Sequence, residues 1–210
     1  MDFIMQGLSY FHKGGFVMYI LLLCSIFVLS IGIERLLYFS KADSGRNFAD
    51  RFYRLMVNNK VDEAKELATK SKGDLALLLT SAMNKTFSDK HALSAFFEIQ
   101  SGISLAKFRA RLYYLSVVVT MAPLLGLLGT ISGMISAFSV FNLQSGQATA
   151  ITGGVGEALI ATAMGLCVAI IALIIHAYFT QRVDSILTDM EQSFSLVQSH
   201  YDRGEKNASA

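Results

Sequence analysis

Few residues in this chain could do chemistry, and most of them lie in surroundings hostile to charge. Glu157 is the only Asp, Glu, Lys, Arg or His between Arg111 and His176. An acid at or just inside a membrane boundary is costly enough to mark a candidate functional site, the alternative being an interfacial Glu that reaches back to water. Thr130 and Thr162 stand in apolar runs, where a hydroxyl can hold water or bond a carboxylate without adding a charge. His176 is a candidate relay at the far end of the same run, although a lone imidazole at a helix end is also a common hydrogen-bonded structural residue. No Ser/His/Asp set, HExxH motif or pair of membrane aspartates occurs, and the four histidines, His12, His91, His176 and His200, are scattered. Cys24 and Cys167 lack metal-ligand spacing and read as small apolar side chains. Neither an enzyme nor a metal or cofactor site is expected.

The elements that position these residues are membrane helices. The chain of 210 residues is 53% hydrophobic and only 16% charged, with mean hydropathy +0.46, whereas a soluble domain carries about 25% charged residues. Three segments are long and apolar enough to span roughly 30 Å of hydrocarbon: 16–33, 113–141 and 157–179. The first lacks the basic start and short apolar core of a cleaved signal peptide and is read as retained. Pro123 falls inside the second, so the carbonyl it frees needs a neighbouring helix or a hydroxyl. Of 18 Lys and Arg, 14 lie between Arg35 and Arg111, three lie after residue 181, and one, Lys13, precedes the first span. The positive-inside rule then places 34–112 and 180–210 in the cytoplasm, and the N-terminus and the uncharged loop 142–156 outside. No basic block with interleaved aromatics suggests nucleic acid.

Outside the spans the pattern is helical. Residues 1–15 are expected along the outer membrane interface, with Phe3, Ile4, Leu8 and Phe11 toward lipid. A cytoplasmic helix breaks at Asn58-Asn59, and Ser88 or Asp89 caps a further helix that is expected to run unbroken into the second span. After the third span, Val183, Ile186, Leu187, Met190, Phe194 and Val197 form one stripe, so that helix continues as an amphipathic one.

Rotating by about 100° per residue gives the second and third spans each a small face. Gly126, Gly129, Gly133, Ala137, Thr130, Ser132 and Ser136 share an arc of about 160°. Ala158, Ala161, Thr162, Gly165, Ala169, Ala172 and His176 share one of about 100°. Two readings fit such faces: close helix packing, or the wall of a central space enclosed by several copies, with Thr130 and Thr162 as its sparse polar lining.

The stretch LLGLLGTISGMISAF, followed some twenty residues later by GEALIATAMGL, resembles the paired signature of the MotA/TolQ/ExbB proton channel family, and three spans with an outside N-terminus resemble its ExbB/TolQ branch. The resemblance implies an all-α, pore-forming homopentamer in the bacterial inner membrane, with long helices extending into the cytoplasm. It also implies an ExbD/TolR-like single-span partner that contributes the proton-binding aspartate, a TonB/TolA-like transducer, and an outer-envelope process driven by the proton motive force. On this chain the family's pore threonines fall on Thr130 and Thr162, and its third-helix acid on Glu157. Ile171 and Ala177 stand where the family often has Pro and Asn, which puts the expected kink and the inner exit in question. A non-conducting scaffold that recruits proteins through its cytoplasmic helices is the competing reading, with no evident need for the small faces or for Glu157.

Overall fold

The computed structural model describes residues 15–143 and 148–208; for 140–143, 148–153, Glu157 and 204–208 the description extends to the backbone alone. The expected interfacial helix at the N-terminus and the centre of the expected outer loop lie outside the described residues. Seven helices and no strand occur among them: α1 Gly15–Ala42, α2 Arg46–Val57, α3 Val61–Lys70, α4 Asp74–Asn84, α5 Lys90–Arg109, α6 Leu112–Leu143 and α7 Ala148–Ala208. Three of them, α1, α6 and α7, contain stretches long and apolar enough to cross a membrane. At 61 residues α7 far exceeds the roughly 20 that a crossing needs, and its backbone is helical from Ala148, within the segment expected as loop.

The chain divides into two compact units. The apolar unit contains α1 up to Ile33 together with Arg111–Tyr178. Its buried centre is small, with Leu21, Leu115, Ala122, Ala161 and Ala172 fully enclosed, while Leu23, Leu124, Ile135, Leu159 and Ile174 are exposed. Such an outward apolar surface suits a lipid solvent rather than water. Pro123 sits inside α6 without ending it. The adjacent hydroxyl, Thr120, donates to the carbonyl of Val117 at 2.9 Å, not to that of Val119, which the proline frees.

The polar unit contains Glu34–Ala110 and the part of α7 from Phe179 onward. Helices α2, α3 and α4 pack in sequence through Phe48, Phe52, Met56, Ala64, Ala68, Leu75 and Leu79. The α2 helix ends at Asn58-Asn59, where Asn59 takes a left-handed φ of 57°, a conformation Asn tolerates better than most residues. Gly73, at φ 104°, lies so close to Ser44 that an added Cβ would sit 2.5 Å from its hydroxyl; only glycine fits both constraints. Asp89 caps α5 by accepting from the Ala92 amide at 2.8 Å. The C-terminal part of α7 packs on α5: Phe97 stacks on Phe194 with ring centres 4.0 Å apart, Gln198 donates to Ser94 at 3.1 Å, and Tyr201 donates to the Phe87 carbonyl at 2.9 Å. Of the expected stripe, Val183, Ile186, Met190, Phe194 and Val197 are buried.

The expectation of one helix running from α5 into the second span is corrected here. The helix stops at Arg109, and Arg111 adopts a left-handed φ of 68° before α6 begins. No glycine or proline marks the spot; the buried Arg35 side chain occupies carbonyls at the end of α5.

Candidate functional site

Helices α6 and α7 meet along a seam of small residues within one chain. A Cβ built on Gly126 would lie 3.0 Å from both the Ala161 carbonyl oxygen and the Thr162 Cα; on Gly129, 2.5 Å from the Ala161 Cβ; on Gly133, 2.8 Å from the Ala158 Cβ. From the other side, a Cβ on Gly165 would lie 2.5 Å from the Ala122 carbonyl oxygen, and one on Gly154 would lie 2.5 Å from the Ala137 Cβ. Backbones approach this closely only where side chains are absent, which is how helices associate when lipid supplies no hydrophobic drive. Ala169 is buried on the same helix as Ala158 and Ala161. The small faces of Gly126, Gly129, Gly133 and Ala137 and of Ala158, Ala161 and Gly165 are therefore engaged with one another, not held open for a second copy.

The threonines stand at one edge of this seam. The Thr162 hydroxyl crosses it and donates to the Gly126 carbonyl at 3.0 Å. The Thr130 hydroxyl donates within its own helix to the Leu127 carbonyl at 2.6 Å. Both side chains are half-buried. Helix α1 covers the other edge. Its Val17 lies 3.5 Å from a Cβ built on Gly129, its Gly32 faces Ile175, and its Phe27 meets Tyr114 edge-on at 6.3 Å. On α6, at about 100° per residue, Gly129 and Tyr114 lie on one side of the Gly126–Gly133–Ala137 line and Thr130 on the other. On α7, Ile175 and Thr162 flank the Ala161–Gly165 line in the same way. Because the two helices run antiparallel, Thr130 and Thr162 fall on one common flank of the pair, opposite α1.

Two further hydroxyls share that flank. Ser116 and Thr120 lie about 80° and 120° round α6 from Gly126, on the Thr130 side. Ser116 donates to the Tyr113 carbonyl at 2.8 Å, and Thr120 is exposed. The same rotation, carried back past Pro123, would have found them in the sequence. In all four cases the hydroxyl proton is committed to a backbone carbonyl, so the oxygen lone pairs face outward as acceptors for water or for a protonated carboxyl group. His176 is half-buried further along α7. Glu157 belongs to α7, one position before Ala158, and its side chain lies outside the described residues. Helix α7 continues through Ile171 and Ala177 without interruption. Among the described residues no three His, Cys, Asp or Glu gather as a metal site.

Two long apolar helices packed through a seam of glycine and alanine have the packing of a helical membrane protein, and comparison with known proteins gives its class. The model of the MotA/TolQ/ExbB proton channel family matches residues 60–192. The chain belongs to that family, on its ExbB-like side, and the family consists of membrane channel proteins. It is 33% identical over 177 residues to biopolymer transport protein ExbB-like 1 of Synechocystis, an alignment covering 80% of this chain and 68% of the relative. It is 33% identical over 90 residues to biopolymer transport protein ExbB of Salmonella typhimurium, covering 41% and 37% of the two chains. It is 35% identical over 82 residues to the Tol-Pal system protein TolQ of Pseudomonas aeruginosa, covering 39% and 36%. A further relative, ExbB-like 3 of Synechocystis, is matched over only 31% of its length.

Proposed function

We propose that this chain is the proton-channel subunit of an inner-membrane motor. Several copies, five by family resemblance, surround a central space with α1 on the outside and the hydroxyl-bearing flank of α6 and α7 inside. Thr130 and Thr162 line the path, Glu157 stands toward its outer mouth, and His176 stands toward its inner end. The N-terminus is outside and the C-terminus cytoplasmic, following the basic residues between Arg35 and Arg111. An ExbD/TolR-like single-span partner occupies the space and supplies the carboxylate that changes charge. A TonB/TolA-like protein carries the resulting motion to an outer-envelope process. The single observation behind this reading is the common flank: Thr130 and Thr162 come from different helices, yet both lie on the side of the seam that α1 leaves uncovered.

The mechanism follows from what that flank offers. A proton moving inward releases about 2.3 kcal/mol per 100 mV. A wall of hydroxyl acceptors steadies a protonated carboxyl by accepting its proton in a hydrogen bond, and contains no cation that would trap the ionised form as a salt bridge. Leu127, Met134, Leu159 and Leu166, all exposed in the single chain, supply the rest of the surface and keep bulk water out. The test is the isosteric pair Thr130→Val and Thr162→Val. Each variant loses a hydroxyl but keeps its volume, and membrane hydroxyl bonds average only about 0.6 kcal/mol, so assembly and partner binding should survive while partner-dependent proton uptake into vesicles falls at least tenfold. Unchanged uptake in the double variant would remove both residues from the path and leave the seam bond as the only role of Thr162.

A further inference from the structure

The hydroxyls on the flank that carries Thr130 and Thr162 are unevenly spread. On α6, at about 100° per residue, the arc from about 80° to 160° round from Gly126 holds Tyr113, Ser116 and Thr120 at one end of the helix and Leu124, Leu127, Ile131 and Met134 beyond them. The first three all bear hydroxyls and the last four are all apolar. Tyr113 is 72% exposed. Ser116 and Thr120 keep their protons on the Tyr113 and Val117 carbonyls, at 2.8 and 2.9 Å, which leaves their lone pairs facing outward. The other exposed serines of α6, Ser132, Ser136 and Ser139, lie about 220° to 280° round, off this flank. Helix α7 brings one more polar group to the hydroxyl end. Its Gly165 is level with Ala122 and its Thr162 with Gly126, so His176, eleven residues past Gly165, stands about 16 Å further along, beyond the level of Ser116. It is half-buried and lies within about 40° of Thr162 round the helix.

Depth separates these hydroxyls from an ordinary helix end. A tyrosine at the edge of a span suits the membrane interface, but Thr120 lies about 12 Å along α6 from its start at Leu112, and its short side chain cannot reach back that far. Apolar constrictions expel water, and the leucine, isoleucine and methionine part of the flank forms one when several copies converge. Outward lone pairs do the opposite, because each anchors a water by accepting a hydrogen bond from it. We propose that Tyr113, Ser116, Thr120 and His176 line a water-filled vestibule that opens toward the cytoplasm and ends at a dry collar starting at Leu124. Its ligand is water and the excess proton that water carries. A carboxyl group switching charge at the level of Thr130 and Thr162 then stands inside the collar, with the water that receives its proton only about 9 Å away at Thr120. The collar keeps the waters on the two sides of the membrane apart. The inference rests on the reading that this flank faces the enclosed space.

The test is thiol accessibility on the full chain in inverted membrane vesicles, whose outer surface is the cytoplasmic one, with Cys24 and Cys167 replaced by Ser. A membrane-impermeant thiosulfonate travels only where water does, so it should modify Ser116→Cys and Thr120→Cys at least about tenfold faster than Leu127→Cys and Met134→Cys. Native Cys167 controls for depth. It is exposed and level with Thr120, but lies about 140° round α7 from Thr162. In the Cys24→Ser chain it should react no faster than Leu127→Cys. A Thr120→Cys no more reactive than Leu127→Cys would overturn the vestibule, as would a Cys167 as reactive as Thr120→Cys. Should Thr120→Cys not assemble, Ser116→Cys measured against Leu127→Cys and Cys167 decides in the same way. An unreactive Thr120→Cys beside lost proton uptake in the Thr130→Val, Thr162→Val double variant would overturn the vestibule and leave the proposed path standing. A reactive Thr120→Cys beside normal uptake in that double variant would support the vestibule and count against the threonines alone.

Discussion

The two units of this chain are held together by opposite means. In the apolar unit, cohesion comes from what is missing: a Cβ on Gly126, Gly129, Gly133, Gly154 or Gly165 would collide with the facing helix. In the polar unit it comes from large side chains, with Phe97 stacked on Phe194 and with Phe39 packed against Phe108 and Phe179 at 5.1 Å each. The difference follows from the solvent. Water drives large apolar surfaces together, so the polar unit gains most from phenylalanine. Lipid does not, so the apolar helices gain from close backbone contact and dispersion, which glycine and alanine permit.

The largest effect expected from testing that contrast is in the polar unit. Phe97 is 2% exposed, and Phe97→Ala removes the stacked ring and leaves a cavity, at a cost of about 3 to 5 kcal/mol. Thermal unfolding followed by circular dichroism, with protease sensitivity of the Lys90–Arg109 helix as a local readout, should show it. A loss below about 1 kcal/mol would mean that the aromatic contact is peripheral and that the contrast has been misdrawn.

The same substitution placed in both units sharpens the comparison. Gly165→Ala puts a methyl 2.5 Å from the Ala122 carbonyl oxygen, a backbone atom that cannot swing aside, and overpacking of this kind costs about 1 to 3 kcal/mol. Gly102→Ala, in the middle of α5, meets nothing within 4 Å and should stabilise by about 0.5 to 1 kcal/mol through helix propensity. Opposite signs for one chemical change, measured by unfolding of each variant in the same detergent, are the signature expected. Equal signs would show that the seam is looser than its distances say.

How far the sequence could be read depended on whether the deciding interaction was local. The stripe from Val183 to Val197, the Asp89 cap and the stop at Asn58-Asn59 are written in neighbouring residues, and the structure has all three. The small faces of the two apolar helices were visible by rotation alone. That they are engaged with each other inside one chain was not, because a seam between two helices and a contact between two copies demand the same residues. The break after Arg109 was invisible for a different reason: no glycine or proline marks it, and the side chain bonded to the last carbonyls of α5, Arg35, lies more than seventy residues away in sequence, in a position that reads as the charged end of a membrane span. Ser116 and Thr120 were within reach of the method but lie beyond Pro123, where the small-face pattern stops.

The smallest expected effect concerns how the polar unit handles a partly buried charge. There Asp189 lines a small cavity with Ala42, Asp43, Ser44, Gly45, Leu75 and Ile186. Asp43 is already committed, to Arg182 at 2.7 Å and to the Gly45 amide at 2.8 Å. Burial pushes the Asp189 carboxyl above its ordinary value of 3.8; Asp43 and Asp50 add to the shift, while Arg46 and Arg182 oppose it. A carboxyl whose folded pKa is raised makes its ionised form a burden on the fold. That penalty is fully present above the folded pKa and is relieved as pH falls through it toward 3.8, because there the folded chain binds the proton more readily than the unfolded chain. Asp189→Asn should therefore stabilise slightly at pH 7, by no more than about 0.5 kcal/mol given the partial exposure and solvent screening, and the advantage should vanish as pH approaches 3.8. Denaturant unfolding of both forms at the two pH values measures it. A destabilised Asp189→Asn at pH 7 would mean that Arg46 and Arg182 hold the carboxylate more strongly than burial penalises it, making Asp189 a second ion-paired acid beside Asp43.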